Sequence, residues 1–393
     1  MPGRLVPHLT AATLLRVSAE GAATALVLTV QARTGRAADA GFLQTALTLP
    51  YVLSGPVIGH VLDRTPRPRT VAMALAAGYA AATALLLLTA GRSPLVLALL
   101  VAAVVGCTEP IVVALTSMLP RFVPAGRLPR AYGLEASSYS VAAIAGPGLA
   151  AAVATFADGS SSGLPIVVAA AVGAVALAFL PLPGPRDAPE RASRVVTGGL
   201  LVLISNPKLR SLTVATTFAW LGFGGVAVTA VLFAQHIGED ASAGGQFLVA
   251  FAAGSLLGSL ASARWLKARH AGRVVLGGLT AFGVALASVT LAPSLSWALL
   301  CFLIVGLVEG PVFTATLMLR QRESPPDRLG QVNTTGGSLK IGASAVGAAL
   351  TGAFADTIGP VGLLLAIAAC QLIGATAGLL LLRARWTAPE RSP

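Results

Sequence analysis

The chain has 393 residues, 55% of them hydrophobic and 11% charged, with mean hydropathy +0.81 and formal net charge +12. A water-soluble domain carries about 25% charged residues, so this composition excludes an ordinary soluble globule and points to a polytopic membrane protein. The basic balance does not call for nucleic acid as a partner, because the basic residues fall in short turns between apolar runs, where headgroup contact and topology account for them.

A membrane-crossing helix needs about 20 apolar residues. In chain order, predicted helices 1 to 6 span 9–32, 39–62, 70–91, 94–119, 131–157 and 163–182. Helices 7 to 12 span 209–236, 241–263, 273–292, 295–319, 331–356 and 360–383. A Pro/Arg-rich cytoplasmic linker, 183–208, separates them. The expected class is an all-α membrane protein of twelve transmembrane helices: an N-terminal six-helix bundle (1–182), the linker, and a C-terminal six-helix bundle (209–393). Abundant glycine and 5% aromatic residues suit close helix–helix approach in lipid. Residues 1–10 show no signal-peptide cleavage pattern, so helix 1 is expected to act as an uncleaved insertion signal.

With the N-terminus inside, 22 of the 27 Lys and Arg residues fall in the inner segments and only Arg33, Arg36 and Arg92 in outer loops. The positive-inside rule then places both termini in the cytoplasm and the protein in the cell membrane as a multi-pass protein.

The halves resemble each other. Val105-Gly106-Cys107-Thr108-Glu109 matches Val305-Gly306-Leu307-Val308-Glu309 at an offset of 200, and Met118-Leu119 matches Met318-Leu319. Gly55 and Gly59 pair with Gly254 and Gly258 at 199, and Phe156-Ala157-Asp158 with Phe354-Ala355-Asp356 at 198. Such agreement predicts two six-helix bundles related by a pseudo-twofold repeat, with the substrate site near mid-membrane.

Between helices 2 and 3 stand Gly59, Asp63, Arg64 and Arg67. They are similar to the signature Gly-x-x-x-Asp-Arg-x-Gly-Arg-Arg of the major facilitator superfamily, with Pro66 and Pro68 in place of the second glycine and the last arginine. The resemblance covers essentially the whole chain. It extends to Asn206-Pro207-x-Leu209-Arg210 before helix 7 and to the basic turns after helices 4 and 10. Gly146-Pro147-Gly148-Leu149-Ala150-Ala151 in helix 5 resembles the Gly-Pro-x-x-Gly-Gly motif of the family's exporters, and Arg16-Val17-Ser18 is similar to drug-efflux-like members. Ala102 stands where proton-coupled exporters often carry an arginine. The resemblance implies that Asp63 with its arginines forms a cytoplasmic gate holding the outward-facing state. In the second half the equivalent positions are Ser262 and Ala263, so such a latch is asymmetric, and the shared glycines are expected to serve packing.

An ionisable side chain at bilayer depth costs about 2.5–3.5 kcal/mol on insertion scales, so each one is a candidate for the substrate or proton pathway. Glu109 and Glu309 lead, each followed at once or one residue later by a proline (Pro110, Pro311) that frees an upstream carbonyl. A carboxylate withdrawn from water holds a proton more firmly, which suits proton uptake and release or a cationic substrate. The alternative is a carboxylate that only steadies the helix kink. Arg16 and Glu20 lie four apart on one face of helix 1 and form either a self-neutralising pair or part of the cavity. Lys340 in helix 11 is a possible counter-ion to an acidic substrate or a helix carboxylate, or reaches the interface with its long stem. Glu135 is expected to stabilise the start of helix 5.

No Gly-x-x-x-x-Gly-Lys-Ser/Thr run is present, which argues against direct ATP drive. Cys107, Cys301 and Cys370 lack metal-ligand spacing, and His8, His60, His236 and His270 lie at helix ends or turns, where solvated roles are expected. No metal, no cofactor and no enzymatic activity are expected. The reading is a secondary transporter, monomeric in the lipid bilayer, that exports a small amphipathic organic molecule in exchange for protons. An uptake permease for a small metabolite and a non-transporting membrane sensor stay open at this stage.

Overall fold

The structure, a computed structural model, describes residues 5–35, 37–180, 197–240 and 243–383, and all of its regular elements are helices. Ten helices are long and apolar enough to cross a membrane. Two features bring these to twelve. The pair Pro207–Phe223 and Val226–His236 is one span bent by 43°. The continuous stretch Leu329–Arg383 is divided by Gly359, whose φ of 65° and ψ of 176° are not helical. That left-handed backbone costs a glycine nothing, and Pro360 cannot donate the next backbone hydrogen bond. The chain is therefore an all-α membrane protein of twelve helices, and the predicted boundaries hold to within a few residues at most ends.

The helices are numbered in chain order: helix 1 Leu5–Thr34, 2 Ala37–Arg64, 3 Pro68–Thr89, 4 Leu95–Phe122, 5 Leu128–Phe156 and 6 Leu164–Leu177. Helix 7 is the bent pair, 8 is Ala243–Trp265, 9 Ala271–Val289, 10 Leu295–Glu323, 11 is 329–358 and 12 is 360–383. Helix 4 loses its regular ladder at Glu109 and Pro110 and continues through short turns, including the 3-10 turn Leu115–Met118. The expected linker falls mostly on residues outside those described. Its end departs from expectation, because Thr197–Ser205 is helical. The run Leu200-Leu201-Val202-Leu203-Ile204 gives it an apolar side, and Leu203 is fully buried. Asn206 then caps helix 7, its side-chain oxygen accepting from the backbone N–H groups of Lys208 and Leu209, as the cap rule prefers.

The chain forms two compact units: Met1–Gly199 with Pro325–Ser338, and Leu200–Ser324 with Leu339–Pro393. In the first, a Cβ on Gly106 would collide with the Leu47 carbonyl oxygen, so helix 4 can approach helix 2 only through a glycine. In the second, Gly306 stands in the same relation to the Phe251 carbonyl of helix 8. Two glycines 200 residues apart thus perform one packing task in each unit.

Candidate functional site

In the first unit the charges form two groups. Arg16, 1% exposed, points its guanidinium at helices 4 and 5. Its Nη2 lies 2.5 Å from Glu135 Oε1 and 3.0 Å from Thr116 Oγ1, its Nη1 donates to Ser138 Oγ, and its Cζ stacks 3.8 Å from the Tyr139 ring centre. Glu135, fully buried, also accepts from Thr116 Oγ1 (2.8 Å) and meets His8 Nε2 at 3.2 Å. Three expectations change here. Arg16 is paired with Glu135 and not with Glu20 on its own helix, because a planar fork of five donors finds a carboxylate and several oxygens on helices 4 and 5. Glu135 lies two turns beyond the start of helix 5 and serves as a buried counter-charge, not as a dipole partner. His8 is fully buried and belongs to this network.

The second group is Glu20 and Glu109. Each carboxylate is within electrostatic reach of the other, and both are within reach of Tyr51 and Tyr79. Glu20 is exposed and Glu109 half-buried, and neither carboxylate takes a hydrogen bond among the described residues. Tyr79, fully buried, donates to Ser18 Oγ (3.2 Å) and so is held beside them. Two acids without a bonded cation make a place for a proton or a positive group.

The second unit differs. Glu309 accepts a hydrogen bond from Ser255 Oγ at 2.6 Å. It lines a pocket together with Lys340, Gln371, Trp220, Phe223 and Phe313. Lys340 is buried, its Nζ 5.4 Å from the Trp220 ring centre and 5.6 Å from that of Phe313, within the range of a cation–π contact. Its stem does not carry the amine to an interface. The interaction between Lys340 and Glu309 is electrostatic attraction across the pocket.

Asp63, 4% exposed, accepts backbone N–H groups from Gly330 (2.9 Å) and Gln331 (2.8 Å) at the start of helix 11 and lies 3.7 Å from Arg121 Nη2. The acid therefore satisfies orphan donors at a helix N-terminus, where the helix dipole favours negative charge. Residues 325–338 belong to the same unit as Asp63. Gly59 makes the approach possible, since a Cβ there would collide with Thr334 Oγ1 and lie 2.5 Å from the Gly330 carbonyl oxygen. Arg67 is exposed at the start of helix 3 and Arg64 half-buried. Gly146 lies against Gly21 and Val17, a crossing of helices 5 and 1 that leaves no room for a side chain, and Pro147 follows within helix 5. Sequence reasoning did not single out Arg121, Gly330, Trp220 or Ser255. A glycine one residue into helix 11 was the one available signal.

A family model described as Major Facilitator Superfamily matches residues 9–340. An uncharacterized MFS-type transporter, y4rN of Sinorhizobium fredii, is 28% identical over 373 residues, 90% of this chain and 88% of that protein. Among solved structures, the human organic anion transporter MFSD10 is similar at TM-score 0.76 and 17% identity. A bacterial homologue of the iron transporter ferroportin in its outward-facing state gives 0.75 and 17%, and the E. coli fucose:proton symporter FucP gives 0.77 and 12%. Each match covers 96% of this chain and 98% of the other.

Proposed function

Because the chain belongs to the major facilitator superfamily, we propose that it is a secondary active transporter that exports a small amphipathic organic molecule by alternating access, in exchange for protons. The observation that carries this reading is the pocket of the second unit, where one acid and one amine sit among aromatic rings. Such a lining suits a molecule with an apolar body and a polar or charged end. Glu109 with Glu20 supplies the proton-handling group, since two neighbouring acids cannot both stay ionised at low cost. Asp63 with Arg121 is the latch, releasing the start of helix 11 when the cycle turns over. Export, as opposed to uptake, is supported by the Gly146-Pro147 match in helix 5. The protein works as a monomer in the cell membrane with both termini cytoplasmic.

A second reading, a substrate bearing an acidic group, is favoured by Lys340, whose amine lines the pocket. The test is flux of amphipathic fluorescent dyes, cationic and anionic, in proteoliposomes with an imposed pH gradient. Dye movement against its own gradient that stops when the pH gradient collapses is the expected result. Flux indifferent to that collapse overturns the coupling, and inward concentration in counterflow overturns the direction.

A further inference from the structure

Helices 7, 9, 10 and 12 of the second unit enclose a groove of about 550 Å³ that the transport reading does not use. A drug-sized site occupies about 300–1,000 Å³, so the groove has room for an extended organic molecule. Its walls are apolar, with Leu212, Val275, Leu276, Leu319 and Leu379 among the lining residues. Ser211, also in the lining, ties helix 7 to helix 12, its Oγ donating to the Gly378 carbonyl at 2.7 Å.

One end of the groove is basic. Lys208, Arg269, Arg273 and Arg322 all line it. Among the described residues Glu323 is the one acid bonded to them, 3.1 Å from Lys208 and 2.7 Å from Arg322. Arg322 also donates to the Ala268 carbonyl (2.7 Å), and Arg269 Nε meets His270 Nε2 at 3.1 Å. Arg273 has no ion-pair partner among the described residues. Four cations against one carboxylate leave the rim positive. Arg269 and Arg273 flank the start of helix 9, whose free N–H groups add to that potential.

We propose that this groove binds an anionic phospholipid, with the phosphate held by Arg269, Arg273 and Arg322 and the acyl chains lying along the leucines of helices 9, 10 and 12. Charge complementarity at one end and a concave apolar wall behind it select this occupant. A basic pocket between membrane helices attracts an anionic headgroup, whereas a free phosphate would leave the apolar wall unused. The inference stands whether or not the transport reading does. Gly277 lines the groove with open space where a Cβ would stand, so Gly277→Leu starts a side chain there that narrows it.

The experiment is native mass spectrometry of the full chain in detergent, with dioleoyl-phosphatidylglycerol, dioleoyl-phosphatidylcholine or inorganic phosphate added. Phosphatidylglycerol should be retained at least tenfold over phosphatidylcholine. Arg269→Ala and Arg273→Ala should each lower its retention about fivefold, the effect of one basic residue at a lipid surface. Gly277→Leu should lower it too, with the rim charges intact. Equal retention of both lipids, or unchanged retention in all three variants, overturns the proposal. So does displacement of phosphatidylglycerol by inorganic phosphate at matched concentration, which would mark a plain anion site.

Discussion

Glu109 and Glu309 stand 200 residues apart at one point of the repeat, yet they keep opposite company. Glu109 faces a second acid, Glu20, and takes no hydrogen bond among the described residues. Glu309 is held by Ser255 and shares its pocket with Lys340. The backbones diverge as well. Helix 10 runs unbroken through Pro311, whereas helix 4 breaks at Pro110 and carries a second proline, Pro120, ten residues on. The packing glycines Gly106 and Gly306 stayed alike while the charges were redistributed. The repeat preserved the scaffold, and each unit acquired its own chemistry.

The largest test of that difference is Glu135→Ala. It strands Arg16 in the first unit without its counter-charge and takes away the partner of His8 Nε2, and a buried pair broken on one side costs about 3–5 kcal/mol. We expect a steep loss of monodisperse protein in size-exclusion chromatography, with partial recovery in the double variant Arg16→Met, Glu135→Leu. Lys340→Met in the second unit removes a buried cation instead of stranding one, so its folded yield should stay near that of the parent. Similar losses in both variants would show that the two units handle buried charge alike.

The next test exchanges function between the halves. Glu109→Gln should lower pH-gradient-driven flux by roughly tenfold or more, as expected for an intramembrane carboxylate on an ion pathway, while counterflow without a gradient persists. Glu309→Gln should weaken substrate affinity and leave the pH dependence in place. Measuring both variants in gradient-driven and counterflow assays separates the roles. The reverse outcome would assign the proton to the second unit.

Much of this was legible in the sequence and some was not, for physical reasons. Twelve spans were readable because hydropathy over about 20 residues leaves few alternatives in lipid. Asp63 was readable as a helix-end acid because its place after helix 2 and its arginines limit what it can reach. The pairing of Arg16 with Glu135 was hidden, since the residues lie 119 apart and Glu20 offered a nearer partner at helical spacing. Local spacing names the residues that share a face, but tertiary packing chooses among them. His8 was misread for the same cause: four residues into helix 1 is near an end in sequence and fully buried in space.

A moderate effect is expected where the halves differ by an acid. Asp63 caps helix 11, while its counterpart Ser262 has one hydroxyl hydrogen to share between the Ser259 carbonyl (2.8 Å) and Thr314 Oγ1 (3.0 Å), within the packing of helices 8 and 10. Asp63→Ala leaves two buried backbone donors unmet and should cost about 1–2 kcal/mol, read as a lowered melting temperature. Ser262→Ala should cost less, because one neutral hydroxyl hydrogen is lost and no helix-end donor is left unmet. If the two variants melt together, the Asp63 contact contributes no more to stability than ordinary packing.

The smallest contrast lies between Asp158, just after helix 5, and Asp356, near the end of helix 11. Asp158 caps the turn Gly159–Ser161, accepting the Ser161 N–H at 2.8 Å and the hydroxyls of Ser160 (2.5 Å) and Ser161 (3.1 Å). These bonds hold its carboxyl below the usual carboxylate range. A folded-state pKa lower than the unfolded value of about 3.9 means that the contribution is fully present above that value. It is lost as pH falls through the folded value. Asp356 sits exposed near the end of helix 11, with no turn to cap. Asp158→Ala should therefore lower the melting temperature by about 1 °C at pH 7, the gap closing as the pH is taken below about 4, while Asp356→Ala at pH 7 should lower it less, since no turn depends on it. The Asp158 side chain is fully exposed to water, which is why the effect ranks last. An Asp158→Ala gap that persists unchanged at low pH would assign the loss to the helix-to-turn backbone and not to the charge that distinguishes this loop from its counterpart.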